Sequence, residues 1–188
     1  MNYEVERKFR LADPAAFVER AIAAGANFGA PINQLDEYFA HPTRDFRLTD
    51  EALRVRVTNG QCRITYKGPK INMETKTRRE IELPFADSVK EPTQIGELLV
   101  ALGFRSVAKV HKVRRSAQLS HGEWQFSMDL DDVTGLGSFV ELDTTAAEHQ
   151  VAAAEREMAA IAEEYGLTGE VRTSYLELLM ATQAQSQQ

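Results

Sequence analysis

The stretch Tyr3-Glu4-Val5-Glu6-Arg7-Lys8-Phe9-Arg10-Leu11 decides how the rest of the chain reads. Its period is two. Strand side chains alternate between faces, so Glu4, Glu6 and Lys8 share one face while Tyr3, Val5 and Phe9 share the other. The same segregation recurs downstream. Arg54 and Arg56 alternate with Leu53, Val55 and Val57. Arg63, Thr65 and Lys67 alternate with Ile64 and Tyr66. Arg78, Glu80 and Glu82 alternate with Ile81 and Leu83. Lys112 and Arg114 share a face. Asp129 and Asp131 stand opposite Phe126, Met128 and Leu130. Glu141 and Asp143 stand opposite Val140 and Leu142.

An ordinary antiparallel sheet with one wet face accounts for any single strand of this kind. Two features favour an enclosed polar face instead. The polar faces are dominated by carboxylates, guanidiniums and ammoniums rather than neutral polar groups, and the pattern returns in strand after strand with both signs. If the apolar faces turn outward against helices, the sheet closes into a barrel with a charged, water-filled lumen. Dry burial of so many ions costs several kcal/mol each, so water, mutual pairing and a charged ligand must occupy it.

Strand-like runs are read at Tyr3–Leu11, Asp36–Ala40, Ala52–Thr58, Gln61–Lys67, Thr77–Leu83, Val110–Leu119, Glu123–Leu130 and Ser138–Asp143. Asn59-Gly60 is a tight-hairpin signal, and His121-Gly122 a weaker one. Asp13-Pro14 opens a helix with Phe17, Val18, Ala21 and Ile22 as its stripe, stopped by Gly25. Pro92 opens a second helix, with Ile95, Leu98, Leu99 and Leu102 inward and Gly103 as its stop. Thr145 with Glu148 reads as a capping box before a longer helix carrying Val151, Ala154, Met158, Ile161 and Tyr165. Ser174 with Glu177 opens the last helix. Gly68–Lys76 reads as irregular. The expected architecture is α+β: an eight-stranded antiparallel β-barrel with helices packed on the outside. Residues 1–181 form one domain, and 182–188 a disordered polar tail.

A net charge of -6 argues against a general nucleic-acid binder. Cys62 is the only cysteine, which excludes an internal disulfide. The start of the chain carries no apolar signal region, and no apolar run reaches membrane-span length, so the expectation is a soluble, cytoplasmic protein without a membrane partner. Arg54, Arg56, Arg63, Lys67, Arg78, Lys112 and Arg114 would form a basic wall suited to phosphate oxygens. Glu4, Glu6, Asp129, Asp131, Glu141 and Asp143 would form an acidic wall of hard oxygen donors suited to Mg²⁺ or Mn²⁺. Together the walls fit a metal–polyphosphate complex.

The segment Glu4-Val5-Glu6-Arg7-Lys8 reads E-x-E-x-K and resembles the signature of the CYTH superfamily, the triphosphate tunnel metalloenzymes. Further elements follow in the family's order: Asp36-Glu37-Tyr38, Leu53-Arg54-Val55-Arg56, Tyr66-Lys67-Gly68-Pro69, Arg78 to Glu82, Lys112 to Arg115 and Leu130 to Glu141. The resemblance implies an eight-stranded tunnel acting on ATP or another triphosphate with Mg²⁺ or Mn²⁺. It implies metal roles for Glu4, Glu6 and Glu141, with Asp143 or Asp131 nearby. It implies phosphate roles for Lys8, Arg54, Arg56, Lys67, Lys112 and Arg114. Lys8, Lys112 and Asp131 are the catalytic candidates, Asp131 as metal ligand or base. Glu80 and Glu82 fit metal ligation and arginine pairing equally.

The chain's length, its opening and Ser174-Tyr175-Leu176 are most similar to class IV adenylyl cyclases, which are often dimers, so a homodimer is an expectation. Sister groups hydrolyse thiamine triphosphate or inorganic triphosphate. A third reading is a non-catalytic polyphosphate-binding module, against which the acidic set argues. Asp143 stands where the family often has Glu. The tail has one residue more than the cyclase-like Arg-Ser-Tyr, so Arg172 is left out of the site. His41, His111, His121 and His149 fit no metal-ligand spacing. Cys62 and Trp124 read as packed, and Gly135 and Gly137 as a tight turn.

Overall fold

The computed structural model describes residues 2–70, 78–85 and 93–185. Strand β1 (Asn2–Arg10) leads to helix α1 (Pro14–Ala23), then β2 (Ile32–Ala40), a single turn α2 (Phe46–Thr49), β3 (Ala52–Thr58) and β4 (Gln61–Lys70). After them come β5 (Arg78–Pro84), α3 (Thr93–Ala101), β6 (Arg105–His121), β7 (Trp124–Val133) and β8 (Gly137–Ala147). A 3-10 turn (Glu148–Gln150), α4 (Val151–Glu164) and α5 (Tyr175–Gln185) complete the chain. The strands close into an antiparallel barrel in the order β1-β5-β4-β3-β2-β6-β7-β8. This is the eight-stranded barrel expected from the alternation.

Local signals explain several boundaries. Asn59 and Gly60 sit at φ 49 and 80, the left-handed pair that a two-residue hairpin requires. Gly122, at φ 58, turns β6 into β7, whose ladder closes at His121 and Trp124. Asp13 accepts from the Ala16 amide at 2.9 Å, with Pro14 in the first turn of α1. Ser174 and Glu177 form a reciprocal capping box: the Ser174 amide donates to Glu177 at 2.7 Å, and the Glu177 amide donates to Ser174 Oγ at 3.2 Å.

The structure corrects other expectations. Thr145 belongs to β8, and the helical chain starts only at Glu148, so the Thr145–Glu148 capping box does not form. Ladder pairing of β8 with β1 carries Thr145 opposite Glu4 and claims its backbone for the sheet. In α3 only Ile95 and Leu99 are buried, while Leu98, and Leu102 just past its end, are exposed; Ile22 of α1 is exposed as well. These helices meet the barrel along narrower stripes than the sequence suggests. Thr182–Gln185 continue α5 rather than opening a disordered tail. Gly68–Lys70 belong to β4, across a register irregularity after Lys67, whereas residues 71–76 and Pro92 lie outside the described residues.

Two apolar clusters lie outside the barrel wall. Val5, Phe9, Phe126, Met128 and Leu142 meet Phe17 of α1 and Met158 and Ile161 of α4. Phe39, Leu53, Val55 and Cys62 meet Ile95 and Leu99 of α3. Trp124 packs on the first cluster. A third cluster departs from the simple charged-inside scheme. Val110, Val133 and Phe139 occupy the same strand faces as Lys112, Asp131 and Glu141, and Tyr175 of α5 packs on them. The lumen therefore has an apolar floor.

Candidate active site: a charged tunnel

A cavity of about 760 Å³ runs into the barrel. Glu4, Glu6 and Lys8 from β1 line it, as do Arg54 and Arg56 from β3 and Lys67 from β4. Arg78 from β5, Lys112 and Arg114 from β6, Asp129 from β7, and Glu141 and Asp143 from β8 line it as well. The pleat direction inferred from the sequence holds. Glu80 and Glu82 also line the cavity. So does Arg172 at its mouth, the residue left out of the site above.

Two candidates fall outside the lining. Arg63 lies on the inward strand face but near the strand's end, where its side chain is 48% exposed and pairs with Glu82 at 2.7 Å. Strand alternation assigns a face but not a depth, so the rim position was not legible. Asp131 has the opposite fault: it is 0% exposed. Its oxygens accept from Lys112 at 2.7 Å, from Arg114 at 2.6 and 2.5 Å, and from the Tyr175 hydroxyl at 3.0 Å. A carboxylate so occupied is a counter-ion for the basic wall. Asp131 lies behind the cavity lining, engaged by Lys112, Arg114 and Tyr175.

Asp36 is a site residue that sequence reasoning missed as such. Arg56 donates to it bidentately at 2.6 and 2.7 Å, and Arg54 approaches at 3.5 Å. Burial pushes the Asp36 carboxyl up, but Arg54, Arg56 and Lys112 outweigh it and hold the carboxyl below the usual range. Asp36 shares a strand face with Tyr38 opposite Arg54 and Arg56 in the ladder, which was the available signal.

The rest of the basic wall is paired as closely. Lys67 bridges Glu4 and Glu80, each at 2.7 Å. Burial would lower the Lys67 ammonium, but Glu4 and Glu80 raise it on balance. The Glu4 carboxyl is itself raised, by burial first, with Glu80 adding to it against Lys67. Burial and neighbouring Arg114 keep Lys112 below an ordinary lysine despite Asp131 and Glu141. Arg114 contacts Asp129, and Glu141 at 2.5 Å, besides Asp131.

The acidic wall is different. Asp143 is pushed up to about 8, by burial and then by the charges of Asp129, Glu4 and Glu6. Carboxylates that repel one another this way call for a cation between them, and hard oxygen donors suit Mg²⁺ or Mn²⁺. Among the described residues, no three acidic or histidine side chains already converge as a ready-made metal cluster. The donor chemistry nonetheless fits such an ion, with Glu4, Glu6, Glu141 and Asp143 as the residues that would hold it.

The four histidines take no part in the charged walls. His111 is exposed, and His121 pairs with Glu157 at 2.7 Å. His41 lines the mouth, where its Nδ1 accepts from the Thr43 and Arg44 amides, both at 3.1 Å.

The CYTH domain model matches residues 2–175. A protein of Methanocaldococcus jannaschii named "putative adenylate cyclase" is 36% identical over 178 residues, covering 93% of this chain and 97% of the relative. The solved structure of a Pyrococcus horikoshii protein is 37% identical, with a TM-score of 0.84 over 95% of this chain and 99% of its own. A Hippeastrum protein, described as a "putative adenylyl cyclase" with a dominant triphosphatase activity, shares the fold at 18% identity and TM-score 0.66, covering 97% of this chain and 96% of its own.

Proposed function

This chain belongs to the CYTH domain family, and from that premise we infer that it is a divalent-metal-dependent enzyme converting ATP to cyclic AMP and pyrophosphate. One observation carries the reading. A single cavity holds a basic wall and an acidic wall, and its lining continues beyond them to Pro42, Phe46, Val107 and Met180, interspersed with Arg44, Arg47 and Arg105. An inorganic triphosphate would use only the two walls, whereas a nucleoside triphosphate has a use for the mixed apolar and polar lining beyond them. The name of the Methanocaldococcus jannaschii relative supports the same choice.

In this reading the triphosphate lies along Lys8, Arg54, Arg56, Lys67, Arg78, Lys112 and Arg114. Glu4, Glu6, Glu141 and Asp143 would hold the metal, which would supply charge neutralisation and polarisation of the phosphate oxygens. The ribose 3′-oxygen attacks the α-phosphorus in line, the bond to the bridging oxygen breaks, and pyrophosphate leaves. Lys67 and Lys112 stabilise the charge that collects on the leaving group. The hydroxyl proton released as the new bond forms passes to water in the tunnel.

The test is product analysis with purified full-length protein and Mn²⁺ or Mg²⁺, offered ATP, inorganic triphosphate and thiamine triphosphate separately. Cyclic AMP with equimolar pyrophosphate is the expected result. Orthophosphate without cyclic AMP would make the protein a triphosphatase. Binding without turnover of any of the three would leave a polyphosphate-binding module.

A further inference from the structure

Tyr175 opens α5 directly behind the Ser174–Glu177 cap, and its ring enters the tunnel floor. It is buried and meets the Phe139 ring edge-on, centroids 5.1 Å apart. Lys8 Nζ lies 4.1 Å from the Tyr175 ring centroid, and Lys112 Nζ lies 5.1 Å from it. The Tyr175 hydroxyl donates to Asp131 Oδ2 at 3.0 Å, the oxygen that Lys112 also reaches. One ring thus touches two lysines that come from separate strands, 1% and 2% exposed, together with their shared neighbourhood. Leu178 and Leu179 pack in the same cluster and hold the start of α5 in place.

We propose that Tyr175 is a positioning residue for triphosphate binding, its ring face setting the Lys8 and Lys112 ammoniums toward the cavity. The inference rests on reading the tunnel as a triphosphate site. Its physical basis is a contrast between Arg114 and Lys8; Lys112 combines both supports, with Asp131 at 2.7 Å and the ring at 5.1 Å. Arg114 sits among Asp129, Asp131 and Glu141, whose full charges compete with any phosphate that approaches. An aromatic face attracts an ammonium through its quadrupole and carries no net charge for the phosphate to displace. It also covers one side of the ammonium and leaves donors for the other. Lys8 shows this best: its carboxylate contact, to Glu141, is at 4.0 Å, close to the ring distance. The ring cannot drift, because Phe139 fixes its edge and Asp131 its hydroxyl.

The test compares Tyr175→Phe with Tyr175→Leu by calorimetric titration of inorganic triphosphate in the presence of Mn²⁺, alongside unfolding midpoints. Tyr175→Phe keeps the ring face, and the lost bond to Asp131 already exists without ligand, so binding stays within about threefold of wild type. Tyr175→Leu removes the face from both lysines, so binding weakens by about tenfold or more. Rescue by phenylalanine is the decisive readout, since a role for the hydroxyl alone would damage both variants alike. Tyr175→Met answers the same question if the leucine variant does not fold. Unchanged binding in the leucine or methionine variant overturns the inference, as does a phenylalanine variant as weak as leucine. No binding to wild-type protein would overturn the triphosphate reading itself, and this inference with it.

Discussion

Asp131 and Asp143 sit on neighbouring strands of one tunnel and live in opposite company. Asp131, on the β6–β7 side, is enclosed by Lys112, Arg114 and Tyr175. Asp143, on the β1–β8 side, faces Asp129, Glu4 and Glu6 and is pushed up to about 8. Where buried charges are matched within the chain, they belong to the scaffold and stay put. Where they are mismatched, the site lacks a charge that a ligand can bring. The tunnel therefore combines a finished half and an unfinished half, and chemistry belongs to the second.

Breaking the finished half gives the largest effect. Asp131→Ala strips Lys112 and Arg114 of a shared counter-ion in a fully buried position. It should destabilise the fold by about 3–5 kcal/mol, read from urea unfolding. A loss below about 1 kcal/mol would mean that the two halves are equally solvated and the contrast is false. Next comes Glu6→Gln in the unfinished half. Turnover should fall by roughly a hundredfold or more while the unfolding midpoint stays near wild type. A matching loss of stability would place Glu6 with the scaffold instead.

The pH dependence sharpens the contrast further. An acid raised in the folded state binds more protons folded than unfolded, so its contribution to stability falls as pH rises from about 4 to about 8. Asp143→Asn should raise the unfolding midpoint of metal-free protein at pH 8 and leave it unchanged near pH ~3. No gain at pH 8 would mean that the acidic wall is already compensated. The smallest effect belongs to Arg63→Ala at the rim. Its exposed pair with Glu82 should be worth under about 0.5 kcal/mol, with substrate KM shifting less than about twofold. A larger KM change would return Arg63 to the tunnel.

Much of this was legible in the chain because strand alternation is a strict rule. Glu4, Glu6, Lys8, Arg54, Arg56, Lys67, Arg78, Lys112 and Arg114 all line the cavity, as their parity required. Parity gives a side, however, and neither depth nor partners. It could not separate Arg63 at the rim from Arg56 inside, nor Asp131 behind the wall from Asp129 on it. These differences come from strand stagger and from what packs over each end. The apolar floor was hidden because Val110, Val133 and Phe139 interrupt charged faces only once per strand. Tyr175 was visible as the second residue of a helix start and within the cyclase-like Ser174-Tyr175-Leu176. Its place beneath two lysines depends on where α5 docks, which no local pattern encodes.

The unfinished half is probed most directly by titrating inorganic triphosphate into the full-length protein with and without Mn²⁺, in wild type and in Glu6→Gln. The account predicts that Mn²⁺ tightens binding by about tenfold or more in wild type and that Glu6→Gln abolishes this gain. Equal affinity with and without Mn²⁺ in wild type, or a gain that survives in the variant, would contradict it.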